Sequence, residues 1–225
     1  MSFLFLTPRL RVRPRRADDR PALARMVTDA GMMLHIGDGR PWSEAQIDQF
    51  LQRQKDHLQR HGVCFGAVAL AESDPVIGLA GMQKMDTGDF ELGWWIWKDQ
   101  RGRGLAAEAV RPFLQHARDM MRLDRLVAVI DPPNSASIRV AEKRGMVFEQ
   151  RMRATETLAA RDDLRVVLYA LSDLRKWPGA GPGCLPARCW CAPSLPARRL
   201  RRRSAMWSTS RFGNTENACA ACPGS

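Results

Sequence analysis

The spacing of apolar residues in the first half of the chain changes from a helical period to a strand period. Leu23, Met26 and Val27 recur at helical spacing, which predicts an amphipathic helix over residues 18–29. Ser43-Glu-Ala-Gln46 has the form of a capping box, so we expect a second helix from there to about Leu58. Three apolar runs follow, separated by turn residues that suit antiparallel hairpins. These runs predict strands over Val63–Leu70, Val76–Met82 and Phe90–Trp97.

The second half of the chain alternates again between the two periods. A helical stripe begins after Gly104 and continues to Met121, with a spacing that suits packing on a sheet. Beyond it the pattern predicts a strand, a short helix that ends at Gly145, and a closing hairpin. The predicted bounds are Arg125–Ile130, Ser135–Arg144, Val147–Thr157 and Leu164–Ala170. Together with a short strand over residues 10–13, this order predicts an α/β fold with a mixed sheet.

Composition separates residues 7–177, which we interpret as one domain, from a tail of residues 178–225. The tail holds six of the 14 prolines, five of the six cysteines, and seven arginines against one acid. No helical or strand period survives there, so we expect the tail to be disordered. More than half of the formal net charge of +11 lies in the tail, so the charge does not indicate a nucleic-acid surface on the domain.

The tail admits three interpretations besides a solvated basic segment. The pairs Cys189/Cys191 and Cys219/Cys222 have the residue type of a zinc site, but the first pair has a single residue between its members. The arginine-rich run at residues 198–203 is typical of contact with nucleic acid or an anionic surface. The abrupt change in composition also fits a frameshifted or read-through coding sequence, which is the hypothesis that we favour.

The chain shows no sign of a membrane segment or a secretion signal. No apolar run approaches the roughly 20 residues that a membrane span needs. The apolar run at residues 3–6 is short and precedes the positive charge, whereas the charge comes first in a signal peptide. We therefore expect a cytoplasmic protein without a membrane partner.

A phosphate-binding loop is predicted where the strand that ends at Trp97 runs into the helix after Gly104. The segment is Gln100-Arg-Gly-Arg-Gly-Leu-Ala106. Free amides at a helix start bind phosphate, and Gly102 and Gly104 allow the backbone to curl so that its N–H groups point inward. Arg101 and Arg103 add positive charge at the same place. The loop lacks the Gly-Lys-Ser/Thr of a Walker loop, and by itself it is equally typical of an ordinary tight turn.

This loop and four further segments resemble one family, in order and in spacing. The chain resembles the GNAT superfamily of N-acetyltransferases over about residues 7–175, and within it the ribosomal-protein alanine N-acetyltransferase branch. The four segments are Thr7-Pro-Arg-Leu-Arg-Val-Arg-Pro14, Gly93-Trp-Trp-Ile96, Asp131-Pro-Pro-Asn-Ser-Ala-Ser-Ile-Arg-Val-Ala-Glu-Lys-Arg-Gly-Met146 and Leu168-Tyr-Ala-Leu171.

The resemblance implies a mostly antiparallel central sheet that is splayed between its fourth and fifth strands, with helices on both faces. Phe90–Trp97 and Arg125–Ile130 correspond to these two strands. Acetyl-CoA is the implied co-substrate and no metal is implied. The pantetheine arm would lie in the split, hydrogen-bonded by Asn134, and backbone amides near Trp95 and Ile96 would polarise the thioester. The phosphates would lie on Gln100, Arg101, Gly102, Arg103, Gly104, Leu105 and Ala106.

The implied reaction is direct attack of an amine on the thioester, which requires a neutral amine and a proton donor for the departing thiolate. Many members of the superfamily have a tyrosine seven residues after the motif asparagine, and this position is Ala141 here. The ribosomal-protein branch instead has a serine, which corresponds to Ser137, and a glutamate as general base, which corresponds to Glu156. Ser137 is also an ordinary residue for a helix start, and Glu156 is equally typical of an exposed edge strand.

His35 and Trp42 lie in a polar, glycine-rich loop that lines the acceptor site in this family. An aromatic residue in such a loop suits recognition of a peptide or a small amine, although packing of Trp42 beside the Ser43 cap explains the pattern equally well. We expect an N-acetyltransferase that acts on a protein N-terminus or a small-molecule amine. The alternatives are a non-catalytic acetyl-CoA-binding regulatory module, which the missing tyrosine supports, and, ranked last, a nucleic-acid-associated protein. The residues indicate no oligomeric state.

Overall fold

One sheet of eight strands organises the computed structural model, which describes residues 3–73, 75–153 and 165–179. The strands are β1 (Phe5–Leu6), β2 (Leu10–Arg13), β3 (Phe65–Leu70), β4 (Val76–Lys84), β5 (Phe90–Ile96), β6 (Leu126–Ile130), β7 (Val147–Arg153) and β8 (Arg165–Leu171). Their spatial order is β1-β2-β3-β4-β5-β6-β8-β7, and all neighbours are antiparallel except β5 and β6. The described residues belong to the first of two units, residues 1–191, and the second unit lies outside them.

Five α-helices occur in the described part of the chain. They are α1 (Arg20–Val27), α2 (Ala30–Met33), α3 (Glu44–His61), α4 (Leu105–Asp119) and α5 (Ser135–Lys143). The predicted capping box begins α3, since Ser43 Oγ accepts the Gln46 amide at 3.3 Å and Gln46 Oε1 accepts the Ser43 amide at 2.8 Å. Gly62 after α3 and Gly145 after α5 both have positive φ, as left-handed helix caps require.

Helices cover both faces of the sheet, as the resemblance implied. Neighbouring residues of a strand point to opposite faces. Trp94 packs with the apolar cluster that contains α4, whereas Trp95 packs with the cluster of α1, α2 and α3. Leu79 and Ala80 of β4 divide between the two clusters in the same way. Burial of each large apolar side chain contributes about 1.5–3 kcal/mol, so these clusters hold the helices on the sheet.

The sheet is split between β5 and β6. These strands pair in parallel only at Glu91 and Val127, near the start of each strand. In contrast, β5 pairs with β4 along its whole length, from Phe90 to Ile96. The gap therefore opens toward the end of β5, which confirms the splayed sheet. The split follows the fifth strand instead of the fourth because the short strand β1 pairs with β2 ahead of the predicted strands.

The hydrophobic pattern missed β1 and α2 because both are too short to show a period. β1 has two residues, which pair with Val12 and Arg11 of β2. α2 is a single turn of four residues, and the Asp29 side chain caps it by accepting the Met32 amide at 2.9 Å. Secondary structure this short depends on tertiary contacts for its stability.

Several predictions fall outside the described residues. The closing hairpin is described as far as Arg153 on its first strand, so the predicted end at Thr157 lies beyond it. The same holds for the tail from residue 180 onward, with its arginine run and its cysteine pairs. Within the described residues, no helix has the length and the apolar character to cross a membrane.

Candidate functional site

A cavity of about 890 Å³ lies at the split between β5 and β6. Residues from both strands line it, together with the starts of α4 and α5 and the connection from α2 to α3. Arg103 is not on the lining, and Glu156 lies outside the described residues. The other predicted site residues share this cavity, namely His35, Trp42, Trp95, Ile96, Gln100, Arg101, Gly102, Gly104, Leu105, Ala106, Asn134 and Ser137.

The loop between β5 and α4 has the backbone conformation that an anion site needs. Gly102 and Gly104 have φ values of 77° and 74°, in the left-handed region that favours glycine. Gly104 directly precedes α4, so its turn leads into the first amides of that helix, which have no partner within the helix. Such amides and the positive end of the helix dipole attract an anion. A Cβ on Gly102 would meet nothing within 4 Å, so the requirement for glycine there is conformational and not steric.

The start of the chain holds this loop in place. Arg9 donates from Nε to Glu108 of α4 at 2.7 Å and from Nη1 to the Arg103 carbonyl at 3.0 Å. Thr7 donates its hydroxyl to the same Glu108 carboxylate at 2.6 Å. Burial alone would raise the pKa of Glu108, but the hydrogen bonds from Thr7 and Arg9 and the charge of Arg9 outweigh burial and lower it. The ionised carboxylate therefore joins the turn between β1 and β2 to α4, and Arg9 extends this link to the loop.

The two arginines of the loop differ in their contacts. Arg101 donates from Nε to the Ile96 carbonyl at 3.1 Å and from Nη2 to Met32 Sδ at 3.0 Å. Its guanidinium thus connects the loop to the end of β5 and to α2. Arg103 donates to the Gln100 side chain and lies off the cavity lining. The predicted positive charge is present beside the loop, but both guanidinium groups also have partners within the protein.

Ile96 presents a backbone amide to the split. The Trp97 amide donates to the Ile77 carbonyl of β4 at 2.8 Å. Because N–H groups alternate in direction along a strand, the Trp95 amide is also directed to β4, and the Ile96 amide is directed to β6. The Ile96 carbonyl follows the same rule, since it accepts from Arg101 and not from β4. Of the two predicted amides, that of Ile96 faces the cavity, and Trp95 contributes its ring.

The turn between β6 and α5 brings polar side chains to the cavity. The Asn134 amide donates to the Asp131 carbonyl at 2.8 Å and closes the turn. The Asn134 side-chain oxygen accepts the Ser137 amide at 3.1 Å, so Asn134 is the cap of α5. The Ser137 hydroxyl therefore has no capping role. Ala141, at the position of the missing tyrosine, is fully buried.

His35, in the connection between α2 and α3, contacts this turn. Its Nδ1 lies 2.5 Å from Asp131 Oδ2, and both residues line the cavity. The His35 side chain is 29% exposed and that of Asp131 is 16% exposed. No described residue hydrogen-bonds Nε2, the other ring nitrogen of His35. The pair thus joins the segment between α2 and α3 to the end of β6.

Trp42 packs the same connection onto the protein. Its ring centroid lies 5.1 Å from that of Phe50 and 5.8 Å from that of Trp95, and its amide donates to the Val27 carbonyl at 2.9 Å. Trp42 therefore holds the connection down, as one of the two interpretations predicted. Because it also lines the cavity, a role in acceptor recognition stays a prediction.

A partly buried carboxyl group, that of Glu91, lines the cavity near the start of β5. Glu91 accepts a hydrogen bond from Gln83 Nε2 at 2.8 Å, and Gln83 Oε1 accepts one from Gln54 at 3.2 Å. Burial raises the pKa of Glu91, and the hydrogen bond from Gln83 only partly opposes this effect. A carboxyl group with a raised pKa in a cavity is a typical feature of functional sites.

Sequence reasoning missed Asp131, Glu91 and Glu108 as members of the site or its support. Signals for them exist in the sequence. Asp131 is the first residue of the segment that resembles the family, Glu91 is an acid within an apolar strand, and Glu108 lies in the first turn after the glycine loop. Their partners are distant in sequence, so these signals gain meaning only in the folded chain.

Comparison with known proteins agrees with this geometry. The family model of the acetyltransferase (GNAT) domain matches residues 9–147, which is more than half of the chain. The uncharacterised N-acetyltransferase YnaD of Bacillus subtilis is 28% identical over 142 residues, which cover 62% of this chain and 80% of YnaD. An acetyltransferase structure from Agrobacterium tumefaciens superposes with a TM-score of 0.63 at 26% identity, covering 75% of this chain and 93% of that one.

RimL, a ribosomal α-N-protein acetyltransferase solved in complex with coenzyme A, superposes with a TM-score of 0.63 at 17% identity. The match covers 75% of this chain and 97% of RimL, and at this identity it shows a shared fold. The family match extends over β2 to the start of β7, which includes the loop, the split and the β6–α5 turn. This chain therefore belongs to the GNAT family of acetyltransferases and is an acetyl-CoA-dependent acyltransferase.

Proposed function

We propose that this chain transfers the acetyl group of acetyl-CoA to a primary amine, by direct attack while both substrates are bound. The observation that carries the proposal is that one cavity joins the glycine loop, the Ile96 amide and the His35–Asp131 pair. A thioester held from the loop side and an amine entering from the His35 side would meet near Ile96. Holding two reactants in one cavity supplies the proximity that such a reaction needs.

The loop is the proposed site for the phosphates of acetyl-CoA. The left-handed backbone at Gly102 and Gly104 and the first amides of α4, at Leu105 and Ala106, suit an anion of this kind. Gln100 and Arg101 line the same opening, and Arg103 contributes positive charge from outside the lining. The pantetheine arm would extend along the split toward Asn134. Residues 7–177 form the proposed catalytic domain.

Ile96 and Ser137 are the proposed residues at the reacting thioester. The Ile96 amide would donate to the thioester oxygen as negative charge develops there, which is a large term in acyl transfer. The Ser137 hydroxyl would donate a proton toward the departing thiolate, because Asn134 already caps α5 and leaves that hydroxyl available. The role of Glu156 as general base rests on the family resemblance alone.

The proposed acceptor is a protein N-terminus or a small-molecule amine. The resemblance of residues 131–146 to the ribosomal-protein branch and the shared fold with RimL support the first class. An open cavity that reaches from the loop to Glu91 also has room for a small polar amine. The alternative function is a non-catalytic acetyl-CoA-binding regulatory module, which is favoured by the buried Ala141 at the position of the missing tyrosine.

Release of the CoA thiol by the full chain tests the proposal. The acceptor panel would contain alanine- and serine-initiated peptides, spermidine and lysine, and mass spectrometry would locate the acetyl group on the product. We expect at least one acceptor to raise thiol release above the rate without acceptor. Calorimetric binding of acetyl-CoA without transfer to any amine would favour the regulatory module. The absence of binding by folded protein would exclude both functions.

A further inference from the structure

The His35–Asp131 pair has the geometry of an oriented base. Asp131 Oδ2 lies 2.5 Å from His35 Nδ1 and so determines which ring nitrogen carries the proton in the neutral ring. With Nδ1–H donated to the carboxylate, the lone pair of the neutral imidazole is on Nε2. Asp131 itself lies in the tight turn after β6, where its carbonyl accepts the Asn134 amide at 2.8 Å. The ring is therefore positioned from the same turn that carries Ser137.

The pair lies in the cavity where we propose that acetyl transfer takes place. His35 and Asp131 both line the cavity, as do Ile96, Asn134 and Ser137. Arg101 holds α2, the helix just before His35, against the end of β5 through its bonds to Met32 and the Ile96 carbonyl. These contacts hold the segment that leads to His35 beside the end of β5, and His35 lies on the wall of the cavity in which we propose that the thioester binds.

Amine transfer needs a group that takes up a proton. An alkylamine is an ammonium ion at neutral pH and has no lone pair with which to attack. Imidazole is the side chain that most readily accepts and releases protons near neutral pH. A positioned base of this kind contributes a factor of about 10² to 10⁴ in rate.

We propose that His35, oriented by Asp131, accepts the proton of the acceptor ammonium at Nε2; this inference rests on the proposed acetyl transfer. The neutral amine then forms the N–C bond to the thioester carbon as the C–S bond breaks. The Ser137 hydroxyl gives its proton to the sulfur and takes up the second proton of the nitrogen, so the products are the amide and the CoA thiol. The first proton leaves His35 for solvent. Asp131 contacts the ring and not the amine, and it acts as a positioning residue.

If His35 is the base, it takes the role that the family resemblance implied for another residue. Glu156 was the general base implied by the resemblance, and His35 was expected only to contact the acceptor. The two assignments make different predictions for single substitutions. If His35 takes the proton, His35→Ala is the more damaging change, and added imidazole replaces the missing ring.

The test compares wild type, His35→Ala, Asp131→Asn and Glu156→Gln as full chains, with the best acceptor of the amine panel. We expect His35→Ala to lower kcat about 100-fold and Asp131→Asn to lower it about tenfold. Free imidazole should restore His35→Ala by roughly tenfold, and Glu156→Gln should lose less than His35→Ala. Methoxyamine, which is neutral at the assay pH, should be acetylated by His35→Ala at nearly the wild-type rate.

Controls separate this proposal from the function on which it rests. His116→Ala removes a histidine of α4 that is not on the cavity lining, and we expect unchanged kcat in this variant. Calorimetry should show unchanged affinity of His35→Ala for acetyl-CoA. Transfer by wild type with an undiminished rate in His35→Ala, or a loss that imidazole and methoxyamine do not relieve, would overturn the role of His35 alone. Absence of transfer by wild type would overturn the proposed function itself.

Discussion

The glycine loop and the His35–Asp131 pair share one cavity but are built in different ways. The loop is local, because two glycines and the first turn of α4 form it from backbone atoms. The pair joins side chains that are 96 positions apart in the sequence, one before α3 and one after β6. A backbone site tolerates most side-chain changes except at its glycines. A side-chain pair loses its function when either member changes.

The two regions also differ in how they are held. The loop is held by side-chain hydrogen bonds. Glu108 accepts hydrogen bonds from Thr7 and Arg9, and Arg9 also donates to the Arg103 carbonyl of the loop. The α2–α3 connection, which carries His35, is held by packing of Trp42 on Phe50 and Trp95. The comparison predicts that changes at the loop affect binding of acetyl-CoA, whereas changes at the pair affect the chemical step.

The largest effect is expected from Gly104→Glu. A side chain at φ of 74° is strained, and the new carboxylate would repel the phosphates of acetyl-CoA. We expect calorimetry to show a loss of affinity of at least about 100-fold, or ~2.7 kcal/mol. Gly88→Glu is the matched control, since Gly88 also has a positive φ of 94° but lies in the turn between β4 and β5. Equal loss in both variants would show that the effect is general and not specific to the loop.

Ser137→Ala should affect the chemical step and not the binding of acetyl-CoA. The hydroxyl is proposed to protonate the thiolate, so we expect kcat to fall roughly 10- to 100-fold while the affinity for acetyl-CoA stays unchanged. The helix itself should persist because Asn134, and not Ser137, caps α5. Steady-state kinetics and calorimetry on the same preparation would measure both quantities. A fall in affinity with constant kcat would contradict the division between the two regions.

Glu108→Gln tests whether the support of the loop matters for binding. The neutral amide weakens the interactions with Thr7 and Arg9, and a hydrogen bond to a charged group contributes about 1.5–3 kcal/mol. We expect a loss of about 1–2 kcal/mol in the free energy of unfolding and a several-fold weaker affinity for acetyl-CoA. Urea denaturation and calorimetry provide the two readings. Loss of stability with full affinity would show that the loop keeps its shape without this carboxylate.

The smallest expected effects are on the pH dependence of the free energy of unfolding, which should differ in sign between Glu108 and Glu91. The lowered pKa of Glu108 means that its contribution to stability is present above the unfolded carboxyl pKa of about 4.3 and is lost as pH falls through the lower folded value. The raised pKa of Glu91 has the opposite effect, since ionisation of this partly buried group costs stability as pH rises through its folded value.

We therefore expect Glu91→Gln to be more stable than wild type by ~1 kcal/mol at pH 7 and to lose this advantage near pH 4. Glu108→Gln should be less stable than wild type at pH 7, and this deficit should shrink toward pH 3. Urea denaturation at these pH values gives both comparisons. A Glu91→Gln variant that is less stable at pH 7 would indicate that the ionised Glu91 is well solvated in the folded protein.

The parts of the structure that depend on near neighbours were predictable. The capping box at Ser43, the left-handed Gly102 and Gly104 and the glycine after α5 follow from rules that act within a few residues. The splayed sheet and the helices on both faces followed from the resemblance. β1 was missed because a strand of two residues has no period of its own.

The directions of individual groups were less predictable. Arg101 was expected to face phosphate, but its guanidinium also satisfies the Ile96 carbonyl, which has no partner strand where the sheet is split. The amides of Trp95 and Ile96 were expected to act together, but strand alternation directs the Trp95 amide to β4. Both outcomes depend on which strand lies on each side of β5.

From the sequence alone, the family, the order of strands and helices and the glycine loop were accessible, because helix caps, left-handed turns and apolar periods are properties of short segments. The tertiary structure decided which distant side chains meet. Arg9 reaches Glu108 because β2 lies beside α4, and His35 reaches Asp131 because the α2–α3 connection and the end of β6 border the same split. Such contacts depend on the spatial order of the strands and on the splay of the sheet, and no local pattern of residues encodes either one.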